Sequence, residues 1–173
     1  RADTPRLSGV QIKAPMYLAQ DGQLSPSAGL PFTHILKPAG TSGFQALPVI
    51  EYLAMTLGRA SGLASPDIAL VAMPDDMPPA LLVERFDIRT SPEDERRFAL
   101  EDLCSVLDLP PDAKYDGTIE RITRAVRPLS TSAGEDLQLV IKRALFAWLI
   151  GDGDMHLKNL ALLKIAGPVA DRF

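Results

Sequence analysis

A single cysteine, Cys104, stands among 173 residues, which excludes a disulfide framework within the chain and fits a reducing compartment. Long hydrophobic runs are missing too. The longest, Ala144 to Ile150, is far too short to span a bilayer, and Arg1 to Pro5 lacks the apolar region of a signal peptide. No membrane association and a cytoplasmic location are therefore expected. Basic charge is also scarce: 18 Lys and Arg against 22 Asp and Glu leave a net charge of −4. The basic residues are scattered and form no stripe that could track phosphates along a duplex, so direct nucleic-acid binding is disfavoured. Histidine is limited to His34 and His156, too few for a His cluster. No internal repeat or low-complexity tract is present.

What is present belongs to an ordinary globular protein. The chain is 46% hydrophobic and 23% charged, with a mean hydropathy of +0.06, enough for one domain or two small lobes around a cleft. It begins without Met, and only five residues follow Ala166-Gly167-Pro168, so a fragment of a longer protein is expected.

Gly9 to Leu18 alternates imperfectly and predicts a strand. A turn-rich stretch follows from Asp21 to Pro31, and Phe32 to Lys37 reads as the return strand of a hairpin, stopped by Pro38. Leu47, Ile50, Leu53, Ala54, Leu57 and Ala60 recur at helical spacing, with Gly62 as the stop. Asp67 to Met73 and Ala80 to Phe86 flank the turn residues Pro74 to Pro79 and predict a second hairpin. Beyond a highly charged stretch from Arg89 to Arg97, helical spacing runs over Phe98 to Leu107, Thr118 to Val126 and Asp136 to Ile150. The order is β-rich first and α-rich second. The expected lobes are residues 1–87, β-rich, and residues 88–173, helical. The last helix carries Leu137, Val140, Ile141, Ala144, Leu145, Trp148 and Leu149 on one face, which predicts a core helix ending at Gly151.

The polar segment Asp152 to Asn159 lies between that helix and the apolar run Leu160 to Leu163. Asp154 and Asn159 are five positions apart, the offset separating the base aspartate from the metal-binding asparagine in a protein-kinase catalytic loop. The aspartate orients the proton of an attacking hydroxyl, and the asparagine reaches a magnesium ion that bridges the phosphates. Short oxygen side chains also make ordinary turns. A third reading takes the alternation of Asp152, Asp154 and His156 as a divalent-metal site of a hydrolase.

Lys37 ends a strand ahead of a helix carrying Glu51, the arrangement in which a strand lysine contacts phosphates and pairs with a helix glutamate. An edge-strand lysine in water is the plainer reading. Ser8-Gly9-Val10-Gln11-Ile12-Lys13 could offer backbone N–H groups and charge to phosphates, although it fits neither the P-loop pattern nor the three-glycine kinase loop. Glu84-Arg85-Phe86 sits where the composition switches, the place at which a kinase hinge meets adenine.

Taken in order, Ser8 to Lys13, Thr33 to Lys37, Leu82 to Asp87, Glu101-Asp102-Leu103-Cys104, Lys114-Tyr115 and Leu149 to Asn159 resemble the HipA family of toxin kinases across nearly the whole chain. The resemblance implies an α+β, bilobal protein-kinase-like fold with a β-rich N-lobe and a helical C-lobe, incomplete at the C-terminus. It implies transfer of the γ-phosphoryl of ATP to a serine or threonine of a protein substrate, with Mg²⁺. It further implies the toxin role in a toxin–antitoxin pair with a small DNA-binding antitoxin. Carried over by motif, Ser8, Gly9, Val10, Gln11, Ile12 and Lys13 would form the phosphate loop, Lys37 would contact the α/β-phosphates, and Glu84, Arg85 and Phe86 would line the adenine. Asp154 would be the catalytic base, His156, Leu157, Lys158 and Asn159 would continue the nucleotide site, and Asn159 would hold Mg²⁺.

Three departures accompany the resemblance. Arg6 stands where the family often has an autophosphorylated serine, so either Ser8 takes that role or the switch is absent. Asp152-Gly153-Asp154 replaces an Asn-Thr-Asp or similar, adding charge beside the base. The family's second metal aspartate, in a Tyr-Asp motif, is expected beyond Phe173, Asp171 being a weaker candidate for it. On that ground the chain as given is expected to have little kinase activity, and a non-catalytic, antitoxin-binding kinase-like protein is the alternative.

Overall fold

The computed structural model describes residues 11–40, 44–91, 94–164 and 171–172. The chain divides into two compact units, Arg1–Phe86 and Asp87–Phe173.

The first unit is an antiparallel sheet of five strands with one helix. Strands β1 (Ala14–Leu18), β2 (Leu24–Pro26), β3 (His34–Lys37), β4 (Ile68–Val71) and β5 (Ala80–Glu84) lie in the order β2-β1-β3-β5-β4. Ala80, Leu81 and Leu82 of β5 are the buried centre, because this strand has β3 on one side and β4 on the other. The predicted loop between β1 and β3 contains an extra strand. Gly22, at φ +87, turns the chain, and Leu24–Pro26 then pairs back onto Met16 to Leu18. Pro26 is tolerated there because β2 is an edge strand, where a missing N–H leaves no ladder partner unpaired.

Helix α1 spans Leu47–Ala60, and Pro48 occupies the first turn, where a backbone N–H has no intrahelical acceptor. It packs against β4 and β5. Its buried residues are Pro48 and Gly58, whereas Ile50, Leu53 and Leu57 are more than half exposed. Helical spacing locates an apolar stripe; it does not say which face finds a partner.

His34 of β3 stands opposite Glu84 of β5, and its ring Nδ1 lies 2.9 Å from Thr33 Oγ1. Burial holds its pKa below the ordinary histidine value, with the nearby Glu84 charge opposing that shift. The fold therefore prefers neutral His34. Its contribution is complete above the unfolded-state pKa and is lost as pH falls through that value toward the lower folded one. His34→Gln should flatten the dependence of stability on pH between about 7 and 5. Denaturant midpoints measured across that range check this, and an unchanged slope would refute it.

In the second unit, β6 (Ile88–Ser91) and β7 (Asp94–Arg97) form a hairpin. Strands β8 (Ala99–Asp102), β9 (Ala161–Lys164) and β10 (Asp171–Arg172) form a sheet in the order β10-β9-β8. Around them lie α2 (Leu103–Val106), a 3₁₀ turn (Pro111–Tyr115), α3 (Ile119–Leu129), α4 (Ala133–Ile150) and a second 3₁₀ turn (Leu157–Asn159). The core gathers Leu103, Cys104, Ile122, Val126, Val140, Leu157, Leu160 and Leu162. Ile122 and Val126 are one helical turn apart, which places both on the buried face of α3 as it packs against α4.

Two expectations are corrected here. Phe98 to Leu107 is not one helix. Residues 99–102 pair antiparallel with β9, and Asp102 then caps α2 by accepting a hydrogen bond from the Ser105 N–H at 3.1 Å. The strand's partner is about sixty residues away in sequence, and that pairing overrides the helical spacing. Helix α4 exists as predicted but is not a core helix all along its apolar face. Asp136, Val140 and Ala147 are buried, while Ile141, Leu145, Trp148 and Leu149 are exposed. Among the described residues, no helix is long and apolar enough to cross a membrane.

Candidate active site

Each unit carries its own part of the candidate machinery. In the first, β3 ends at Lys37 and α1 presents Glu51 one turn in from its start, and Lys37 Nζ donates to Glu51 Oε2 at 2.7 Å. Both side chains are mostly buried. The glutamate thus satisfies an ammonium that would otherwise be costly among apolar strands. Ser8, Gly9 and Val10 of the predicted phosphate loop lie outside the described residues. Gln11, Ile12 and Lys13 lead into β1 in irregular backbone, and Gln11 Nε2 is a buried donor with no hydrogen-bond partner.

The predicted adenine segment is more constrained than its sequence suggests. The Glu84 N–H donates to Asp67 O and the Arg85 N–H to Thr33 O, each at 2.9 Å. Arg85 also donates through Nη1 to Phe32 O at 3.1 Å and lies 4.1 Å above the Phe32 ring. These two backbone donors are therefore engaged within the sheet. Phe86, by contrast, is exposed.

In the second unit, Gly151 closes α4 in the left-handed region at φ 70, and the Asp152 N–H returns to Ala147 O at 2.8 Å. This is the cap that glycine permits without a Cβ penalty. The loop then bends back on itself. Asp152 Oδ1 accepts from the Asp154 N–H at 3.0 Å, while Asp152 Oδ2 accepts from Arg143 Nη2 at 2.9 Å. Asn159 Nδ2 donates both to Asp154 O at 2.8 Å and to Asp154 Oδ2 at 2.9 Å. With its NH₂ group fixed on two acceptors, Asn159 has its amide oxygen as the remaining polar atom of the side chain.

His156 stands behind this pair. Its side chain is only 7% exposed, and Nε2 is 3.4 Å from Asp154 Oδ1. The Tyr115 ring meets its edge with centroids 5.1 Å apart, and its Nδ1 is buried without a partner. Beside the ring is a cavity of about 220 Å³ lined by Tyr115, Thr118, Ile122, Met155, His156 and Leu160. Leu157 and Leu160 anchor the loop in the core, and Lys158 Nζ lies 4.0 Å from Asp102 Oδ2.

The metal-hydrolase reading of Asp152, Asp154 and His156 is corrected by this geometry. Asp152 turns to Arg143 and to the loop backbone, and among the described residues no three His, Cys, Asp or Glu side chains gather to hold a metal. Asp171 lies in β10, paired with Lys164. Sequence reasoning missed Arg143. It lies nine positions before Asp152, outside any motif spacing, and only the return of the chain after Gly151 brings the two together.

Among solved structures, the chain is similar over 98% of its length to a chain in the Shewanella oneidensis MR-1 toxin–antitoxin complex of HipA, HipB and operator DNA. The TM-score is 0.77 at 24% identity, and 42% of that chain is covered. The fold is therefore α+β and kinase-like in the HipA manner. Two curated proteins of Sinorhizobium fredii are also similar. "Putative kinase Y4mE" is 34% identical over 91% of this chain and 38% of its own length. "Putative kinase Y4dM" is 32% identical over 91% of this chain and 40% of its own length. The chain thus spans about two fifths of the curated relatives it matches. Residues 6–171 match the HipA-like C-terminal domain, and the chain belongs to that family.

Proposed function

We propose that this chain is the nucleotide-binding and catalytic-loop portion of a HipA-like serine/threonine kinase, one that moves the γ-phosphoryl of ATP to a hydroxyl of a protein substrate. The observation that carries this reading is the Asp154–Asn159 pair, held by two hydrogen bonds on a loop anchored by Leu157 and Leu160. Asp154, with its side chain 76% exposed, is open to a substrate hydroxyl and would orient it and accept its proton. Lys37, fixed by Glu51, would bind the α/β-phosphates. Gln11 offers a buried donor to the same anion, and Phe86 would lie against the base.

The donor chemistry fits magnesium. The Asn159 amide oxygen is a hard oxygen donor left over once its NH₂ group is bonded to Asp154, and Asn159 would hold the ion. Mg²⁺ supplies charge neutralisation at the phosphates when bound. The relative in the toxin–antitoxin complex supports the further proposal that the whole protein is a toxin paired with a small DNA-binding antitoxin. The net charge of −4 supports a partner rather than this chain as the DNA reader, and the single buried cysteine fits the cytoplasm.

The test is transfer from γ-labelled ATP by the longer protein containing this chain, with and without Mg²⁺, followed by phosphosite mapping. No transfer to protein under any condition would overturn the reading. In the same protein, Lys37→Met should weaken ATP binding roughly 10-fold or more, the worth of one charge-assisted hydrogen bond. Glu51→Gln should have a smaller effect in the same direction. Calorimetric titration with ATP checks both.

A further inference from the structure

We propose that Arg143 and Asp152 form a clamp that positions Asp154, an inference that rests on the kinase reading of the loop. The links run from a rigid element to the reacting group. Arg143 is fixed on α4, its guanidinium 5.9 Å from the Phe146 ring centroid. Its Nη2 donates to Asp152 Oδ2 at 2.9 Å, and the other carboxylate oxygen of Asp152 accepts the Asp154 N–H at 3.0 Å. The Asp152 backbone is itself tied to the helix end through Ala147 O. One carboxylate therefore couples the side chain of a helix to the amide of the candidate base.

Distance and charge both argue for a role beyond an ordinary turn. An Asp turning on its own loop needs only one oxygen, the one that bonds two residues ahead. Here the second oxygen is also engaged, and the ion pair is partly shielded, so it is stronger than an exposed surface pair. Asp152 would otherwise set a second negative charge two residues from Asp154, and the guanidinium offsets it. Asp154 is also held by Asn159, whose Nδ2 donates to its backbone oxygen and to its carboxylate. With both holds in place the carboxylate has little freedom, although most of its surface faces solvent.

Small displacements of a positioned group are expensive in rate: a shift of about 1 Å can cost ~100-fold. Asp152→Ala removes both hydrogen bonds and should lower kcat roughly 10- to 100-fold while KM for ATP stays within about threefold. Asp152→Asn keeps an acceptor for the Asp154 N–H and loses only the ionic partner, so it should fall between Asp152→Ala and the parent protein. Arg143→Lys retains a charge and should recover much of the activity that Arg143→Met loses, a rescue that a merely structural role for the arginine stem would not give.

The experiment measures kcat and KM for these four variants in the longer protein, alongside hydrogen exchange of the Asp154 amide. Reduced kcat at near-constant KM, with faster exchange at Asp154 in Asp152→Ala, supports the clamp. Unchanged kcat and exchange overturn it, as does a rise in KM with kcat preserved, which would make the pair part of the ATP site. If the parent protein transfers no phosphoryl group, the kinase reading fails separately and the exchange rates alone decide whether the clamp exists.

Discussion

Replacing Asp154 with asparagine in the longer protein should reduce phosphoryl transfer by about 10³-fold, within the ~10²- to 10⁴-fold range of a positioned general base. The substitution is nearly isosteric. The Asn159 amide keeps an acceptor in the new side chain, and Asp154 is largely exposed, so the thermal midpoint should hardly move. ATP binding should persist, because Lys37 and Glu51 belong to the other compact unit and do not depend on Asp154. The decisive pattern is a collapse of kcat with nearly unchanged KM for ATP, read by initial rates with labelled ATP. A variant that retains full transfer would remove Asp154 from the reaction and leave it as a loop-forming residue bonded to Asn159.

The largest effect on stability is expected at Leu157. Its side chain is 1% exposed and belongs to the core of the second unit, although it lies within the candidate loop between His156 and Lys158. Leu157→Ala should destabilise by about 2–5 kcal/mol, the range for emptying a buried leucine site. Gly117 offers a partner test. A Cβ built there would come within 2.6 Å of Leu157 Cδ2 and 2.8 Å of Cγ, closer than such atoms approach. Gly117→Ala alone should therefore destabilise by roughly 1–3 kcal/mol through overpacking. In the double variant the new methyl group finds the space that the shortened side chain vacates, so its loss should be smaller than the sum of the two single losses. Chemical denaturation of the four proteins in this cycle measures the coupling. Strict additivity would show that Gly117 and Leu157 do not meet as described.

The expectations read from sequence divide along a physical line. Helix α1 was predicted at its observed bounds because its signals are local: apolar spacing and a glycine after the end. The β4–β5 hairpin was legible for the same reason, its turn residues lying between two short apolar runs. The Asp154–Asn159 spacing was legible because it is a property of one short loop, and the two side chains do meet. Strand β8 was misread because its partner β9 is remote in the chain, and β2 was missed because three residues carry too little pattern. Hidden for another reason was the difference between covered and uncovered faces on α1 and α4. Hydrophobic spacing gives a direction around the helix axis, while burial depends on what the rest of the molecule places there. Arg143 was invisible because its partnership with Asp152 exists only after the chain turns at Gly151.

The uncovered side of α4 also carries the chain's sole tryptophan, Trp148, which is 77% exposed and six residues before Asp154. Its emission is therefore a built-in optical probe of that side of the helix. Contact of this face with any apolar surface would move the emission to shorter wavelength and shield the indole from a soluble quencher. No label is needed, and the signal comes from the last turn of the helix that delivers the loop.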